Sequence, residues 1–207
     1  MIATALAVVS RLVSGATVHW QCDPRPASQR IYFANHSSHL DFIVIWSALP
    51  PALRASVRPV AGRDYWERGS VRRYLAGNVF HAVLIARAHE GPDHGAAAAR
   101  ASIQRMADEM GVRHSLIVFP EGTRGVDGRL GPFKSGLYHL SRARPDVELV
   151  PVYLDNLNRI LPKGEILPVP MLSRVVFGPP LPARRDEAKE EFLARARDAL
   201  IRLKAQP

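Results

Sequence analysis

The sequence is short of cysteine, of lysine and of long apolar runs, and each shortage excludes something. A single cysteine, Cys22, cannot close an internal disulfide or supply a cysteine-based zinc cluster, so a disulfide-stapled secreted scaffold is excluded. No apolar run reaches the roughly 18 residues that a membrane-spanning helix needs. Internal repeats, low-complexity tracts and long linkers are also lacking, which argues for one main domain in the 207 residues. Lysine supplies only 4 of the 28 cationic side chains, and arginine the other 24.

Against 19 acids those cations leave a net charge of +9. Three partners attract such a chain: nucleic acid, an anionic membrane surface and phosphorylated substrates. The nucleic-acid reading finds no recognition-helix, RRM or zinc-finger pattern, and the three tryptophans are not interleaved with basic runs. With 47% hydrophobic residues the chain is not disordered by composition and can bury a core.

Hydrophobic patterning predicts strands over Arg30–Asn35, Ser56–Ala61, Phe80–Ala86, Ser115–Phe119, Glu148–Leu154 and Arg174–Phe177. It predicts helices over His39–Leu49, Asp64–Ala76 (with Gly69 a weak point), Asp93–Met110, Lys134–Ala143 and Asp186–Lys204. Strands alternating with helices point to an α/β fold with a mostly parallel central sheet flanked by helices. The proline-rich segment Leu161–Pro182 is expected to wrap the surface. At the N-terminus Ile2, Leu6, Val9 and Val13 share one helical stripe, and no cationic segment precedes them. Residues 1–20 are therefore expected to form an apolar, interfacial or membrane-associating helix ahead of a body spanning 21–207.

Ligands gather at the carboxyl ends of parallel strands. Asn35-His36-Ser37-Ser38-His39-Leu40-Asp41 follows one strand, Arg87 another, and Pro120-Glu121-Gly122-Thr123-Arg124 a third. With His36 in the loop and Asp41 in the first helical turn, the imidazole folds onto the carboxylate, and Ser37 or Ser38 can cap the helix. Asp41 then fixes the tautomer and leaves the second ring nitrogen as a base. A His–Asp pair at this spacing is weak by itself, since about 0.4 are expected by chance. A metal reading of His36, His39 and Asp41 lacks the glutamate and the third ligand of a helical zinc motif. In the second loop Gly122 admits close backbone approach, Thr123 offers a hydroxyl and Arg124 a phosphate-matching fork. Glu121 can orient Arg124, pair with it in a tight turn, or bind a substrate hydroxyl. Arg87 and Lys134 can complete an anion site.

Together, NHSSHLD and the FPEGTR run about 80 residues later resemble the glycerolipid acyltransferases, most closely the bacterial 1-acyl-sn-glycerol-3-phosphate acyltransferases. A literal six-residue match arises by chance on the order of 10⁻⁵ to 10⁻⁶ times in this length. Leu84-Ile85-Ala86-Arg87, Val150-Pro151-Val152 and Phe133-Lys134-Ser135-Gly136 resemble further signatures, while Gly125 stands where the family usually has Ser. The resemblance spans about residues 30–180. It implies acyl transfer from a thioester to the sn-2 hydroxyl of 1-acyl-glycerol-3-phosphate, giving phosphatidic acid for phospholipid synthesis.

In that scheme His36 is the general base and Asp41 its orienting partner, with no acyl-enzyme and no role for Cys22. Arg87, Glu121, Gly122, Thr123, Arg124 and Lys134 bind the acceptor's glycerol phosphate, and a backbone N–H near Ser37 or Gly122 is expected to stabilise the oxyanion. No cofactor or metal is expected. The implied partners are a lysophospholipid, acyl-coenzyme A or acyl carrier protein, and an anionic membrane surface, with no nucleic acid. The implied place is the cytoplasmic face of a bacterial inner membrane, peripheral or monotopic. Arg54, Arg58, Arg63, Arg68, Arg72 and Arg73, against Asp64 and Glu67, form the candidate membrane-facing patch. Two rivals stay open: an acyltransferase for another lyso-lipid or alcohol, and a non-catalytic lipid-binding protein.

Overall fold

The computed structural model describes residues 2–25, 28–38, 40–86, 92–125, 129–157, 172–182, 184 and 186–205, the side chains of 92–94 excepted. Their order is α1 (Ile2–Ser14), β1 (Ala16–Trp20), β2 (Arg30–Ala34), α2 (Asp41–Ala48), α3 (Pro51–Arg54), β3 (Val57–Gly62), α4 (Arg63–Trp66) and α5 (Ser70–Tyr74), which runs into a π turn (Leu75–Val79). There follow β4 (Val83–Ile85), α6 (Pro92–Met110), β5 (Ser115–Val118), α7 (Gly136–Ala143), β6 (Glu148–Asp155), β7 (Ser173–Phe177) and α8 (Lys189–Lys204).

The seven strands form one sheet in the order β1-β7-β6-β2-β5-β3-β4. Neighbours run parallel everywhere except at the β6–β7 junction, which is antiparallel. The mostly parallel α/β sheet expected from the sequence is thus present. β2 and β5 lie at its centre and are buried along their whole length, as strands covered on both faces must be. Tyr32, Ala34, Ile117, Val150 and Val152 point to one face and pack with α1 and α2. Ile31, Phe33, Leu116, Val118, Leu149 and Tyr153 point to the other and pack with α6, α7 and α8. Each large side chain so buried stabilises the fold by roughly 1.5–3 kcal/mol, so the core sits in these two layers.

One crossing positions the site. The chain leaving β2 turns to the α2 layer, whereas the chain leaving its neighbour β5 turns to the α7 layer. Two adjacent parallel strands whose continuations part in opposite directions open a crevice at their carboxyl ends.

Several expectations are corrected. The N-terminal helix stops at Ser14, and residues 16–20 form an edge strand, so the body begins at 16 rather than 21. Its packed face is Ala3, Leu6, Ala7 and Val13, while Ile2 and Val9 of the expected stripe are about half exposed, because small alanines let α1 settle on α2. The helix expected over 64–76 is broken at Gly69, where φ is +87°. The strand expected over 80–86 shrinks to 83–85 because His81 turns left-handed (φ +47°). The arginine patch also shrinks: Arg58 pairs with Glu109 at 2.6 Å, and Arg54 donates to the Leu49 and Ser47 carbonyls. Residues 161–171 of the expected surface segment lie outside the described residues.

Candidate active site

The β2 exit is fastened first. Asn35 is buried, and its side-chain amide donates to the Leu154 carbonyl at 2.9 Å while its oxygen accepts the Leu154 N–H at 2.8 Å. The side chain thereby imitates one more residue of β-ladder between β2 and β6. At about 1 kcal/mol net per hydrogen bond, the clamp fixes where the next residue, His36, leaves the sheet.

His36 places Nδ1 2.8 Å from Asp41 Oδ2. The same oxygen accepts the Ser37 N–H at 2.6 Å and the Ser38 N–H at 2.8 Å. Because two backbone amides already donate to Oδ2, that oxygen must accept from the imidazole as well. Nδ1 therefore carries the proton, and Nε2 keeps its lone pair. Asp41 is fully buried, whereas the His36 side chain keeps 23% of its surface open. The Phe119 ring stacks on the imidazole with centroids 4.3 Å apart. The expected cap is reversed: α2 starts at Asp41 with Leu40 at its N-cap position and no side-chain cap bond. Rather than Ser37 or Ser38 capping the helix, the first residue of the helix collects their amides.

The β5 exit is tied to the same residue. Glu121 is buried, its Oε1 accepting the His36 N–H at 2.8 Å and its Oε2 the Gly131 N–H at 2.7 Å. The Gly125 N–H donates to the His36 carbonyl at 2.8 Å, so both backbone groups of His36 are held by the second loop. A Cβ at position 131 would lie 2.9 Å from Glu121 Oε2, so a side chain there would push the carboxylate off its seat. This arrangement gives Glu121 a structural role beside the expected one. Both of its oxygens are engaged by backbone, and among the described residues it forms no pair with Arg124.

The remaining predicted groups rim the crevice. Gly122 adopts φ +69°, a conformation that favours glycine, and the Lys134 side chain lies across it, its Cδ and Cε 3.0 Å from where a Cβ would sit. Lys134 is seated there by its own N–H, which donates to the Pro120 carbonyl at 2.8 Å. Thr123 is exposed and Arg124 half-buried. Neither makes a hydrogen bond or ion pair among the described residues, so both remain open to an anion. Arg87 lies outside the described residues; β4, which leads toward it, is three places from β2, about 14 Å across the sheet. The two amides expected at the oxyanion are committed elsewhere: Ser37 N–H to Asp41, and Gly122 N–H to the Phe119 carbonyl at 3.0 Å. The amides of Thr123 and Arg124 are without partners among the described residues. Sequence reasoning missed the Asn35 clamp, the Phe119 stack and the seat that Gly131 gives Glu121; only the first two fall inside the motifs it singled out.

An imidazole with one nitrogen pinned and the other open, beside a loop offering a guanidinium and an ammonium, can take a proton from a hydroxyl on a phosphorylated molecule. The acyltransferase family profile matches residues 16–155. A 1-acyl-sn-glycerol-3-phosphate acyltransferase of Limnanthes alba is 29% identical over 175 residues, covering 81% of this chain and 55% of that protein. The human 1-acyl-sn-glycerol-3-phosphate acyltransferase alpha is 30% identical over 142 residues, 68% of this chain and 45% of its own length. The chain spans about half the length of these curated relatives. The crystal structure of the 1-acyl-sn-glycerophosphate (LPA) acyltransferase PlsC of Thermotoga maritima superposes with a TM-score of 0.74 at 19% identity, covering 100% of this chain and 80% of that one, which establishes the shared fold. Residues 16–155 hold the whole His36–Asp41–Glu121 constellation, and by that match the chain belongs to the acyltransferase family.

Proposed function

We propose that this chain moves a fatty acyl group from a thioester donor to the free sn-2 hydroxyl of 1-acyl-glycerol-3-phosphate, giving phosphatidic acid. The observation that carries the reading is the His36–Asp41 contact at 2.8 Å with Nε2 left open at the rim. In the reaction Nε2 takes the hydroxyl proton as the oxygen attacks the thioester carbonyl. The carbon–sulfur bond then breaks, and the departing thiolate takes the proton back from His36. Asp41 holds the imidazolium that forms between the two events, a general-base contribution of typically 10²–10⁴-fold. No acyl-enzyme and no cofactor are needed. Arg124 and Lys134 hold the acceptor phosphate over Gly122 and Thr123, with Arg87 a further candidate. Glu121 acts by positioning His36. The unpartnered amides of Thr123 and Arg124 are the candidates for charge developing on oxygen.

A lysophospholipid acceptor resides at a bilayer surface, which supports a membrane-associated enzyme; the cytoplasmic face of a bacterial inner membrane is part of the same proposal. No described helix is long and apolar enough to cross a membrane. α1 nonetheless exposes Val8, Val9 and Leu12, and α5 exposes Val71 and Tyr74 beside Arg72 and Arg73. Apolar side chains rimmed by cations suit peripheral or monotopic docking on anionic lipid, at about 1 kcal/mol per cation near the surface.

The test is thiol release from acyl-coenzyme A or acyl carrier protein, with and without lysophosphatidate, in parallel with His36→Ala. Acceptor-dependent release that falls at least 100-fold in the variant supports the reading. Release that persists in the variant overturns His36 as base, and no release from either donor overturns the activity.

A further inference from the structure

A recess of about 360 Å³ lies on the α8 side of the sheet, one residue from the base. Asn35, Arg129, Tyr153, Arg197, Ile201 and Lys204 line it. A second recess of about 350 Å³ shares Leu130 and Arg197 with it and adds the apolar Pro132, Phe133 and Leu193. Three cations and no carboxylate line this paired groove among the described residues. Of the three, Arg129 and Lys204 are exposed and their side chains make no hydrogen bond or ion pair among the described residues, so their charge is available to an anion.

The surroundings indicate where an occupant comes from. The groove's own Arg129, Ile201 and Lys204 are exposed, and α8 beside it exposes Glu190, Glu191, Asp198 and Arg202, a polar face suited to water. The exposed apolar side chains of α1 and α5 belong to the layer across the sheet. The occupant is therefore a soluble anion rather than a bilayer lipid. It is also compact, because the cations converge in a hollow rather than spreading over a flat face as the acidic surface of a carrier protein would require. Apolar walls beside the cations suit a flat ring attached to phosphates.

We infer that this basic groove seats the phosphorylated nucleotide of coenzyme A, so that the donor enters across the sheet from the membrane-facing layer. The inference rests on the acyl-transfer reading for the identity of its ligand. Asn35 faces this recess, while His36, stacked on Phe119, faces the other layer, so a pantetheine arm must round the carboxyl end of β2 to reach the base. The groove is also wired to the base: Arg197 Nη2 donates to the Leu130 carbonyl at 3.1 Å and its Nε to the Gly131 carbonyl at 3.4 Å. Gly131 N–H is in turn held by Glu121, whose other oxygen holds His36. A seated phosphate thus bears on the loop that positions the catalytic imidazole.

The test compares two donors carrying the same acyl chain, acyl-coenzyme A and acyl-pantetheine, which lacks the nucleotide. The wild-type KM for acyl-coenzyme A is expected at least tenfold below that for acyl-pantetheine. In Arg129→Gln/Lys204→Gln, both exposed positions, the gap is expected to close to under threefold, and Arg129→Lys/Lys204→Arg is expected to restore it. Equal KM values in the wild type, a variant that raises both KM values alike, or acceptance only of acyl carrier protein overturns the site. If no thioester is turned over, the acyl-transfer reading fails, and calorimetry with coenzyme A alone judges the groove. Salt-sensitive binding weakened at least tenfold by the double Gln variant sustains it, and absent or unaltered binding overturns it.

Discussion

Two buried carboxylate sites in this protein are built from opposite materials. Glu187 is buried beside α8 and gripped bidentately by the Arg195 guanidinium, its Oε1 2.7 Å from Nε, with Arg184 nearby. Asp41 and Glu121 are buried at the rim, with no guanidinium or ammonium on either among the described residues. Their oxygens are met by four backbone N–H groups and one imidazole. A fixed cation neutralises an acid and makes it electrostatically silent. Amides hold a carboxylate in place without cancelling its charge, so its field remains available to a neighbour that becomes positive during a reaction. Among the described residues the neighbour placed to do so is the His36 ring.

The largest effect follows from removing that charge while keeping the shape. Asp41→Asn can place its carbonyl where Oδ2 accepts three N–H groups. Its amide then falls where Oδ1 sits, an atom with no partner among the described residues. The fold should survive, with thermal unfolding close to wild type. Turnover should fall by roughly 10³–10⁴-fold, because the imidazolium loses its counter-charge. A loss under tenfold, measured by thiol release, would remove the distinction between the two carboxylate sites.

A smaller effect is expected at Glu121. Glutamine offers one acceptor and one NH₂ group to a place that needs two acceptors, so the buried amide of His36 or of Gly131 loses its partner. The cost should be roughly 1–3 kcal/mol in urea unfolding. A displaced base should lower kcat about 10–100-fold. If KM for the acceptor rises while kcat holds, Glu121 binds substrate after all.

Much of this was legible in the sequence, for identifiable reasons. β2, β5 and β6 are buried on both faces, so each reads as an apolar run whatever surrounds it. β1 carries no strand signal of its own, because ATVHW is a half-buried edge strand held by its pairing with residues 173–177, far along the chain. The π turn at Leu75–Val79 carries no local signature of its own. At the site, His36 and Asp41 could be paired by spacing because the loop joining them is short. The backbone partners of Glu121 could not be read, since they are amides of residues 85 positions before it and 10 after. The same holds for the Ser37 and Gly122 amides, since sequence reports side chains and says little about which backbone groups are already taken.

The smallest effect on activity, and the sharpest control, comes from the silenced acid. Arg195→Gln should leave kcat and KM unchanged, while stability at neutral pH drops by roughly 1–3 kcal/mol as Glu187 loses its strongest partner. Arg195, and after it Arg184 and Arg142, hold the Glu187 carboxyl below its ordinary value near 4.5. A depressed folded-state pKa means that the stabilisation is fully present above the unfolded value and disappears as pH falls through the folded one. The difference in unfolding free energy between wild type and Arg195→Gln should therefore be flat from neutrality to about pH 5. It should then narrow steadily at lower pH, as the carboxyl takes up a proton and the guanidinium has nothing left to grip. A gap that stays constant down to pH 3 would mean that Arg195 stabilises the fold by packing on Phe192, with its ring 5.8 Å away, rather than by charge. The two carboxylate sites would then differ in shape alone.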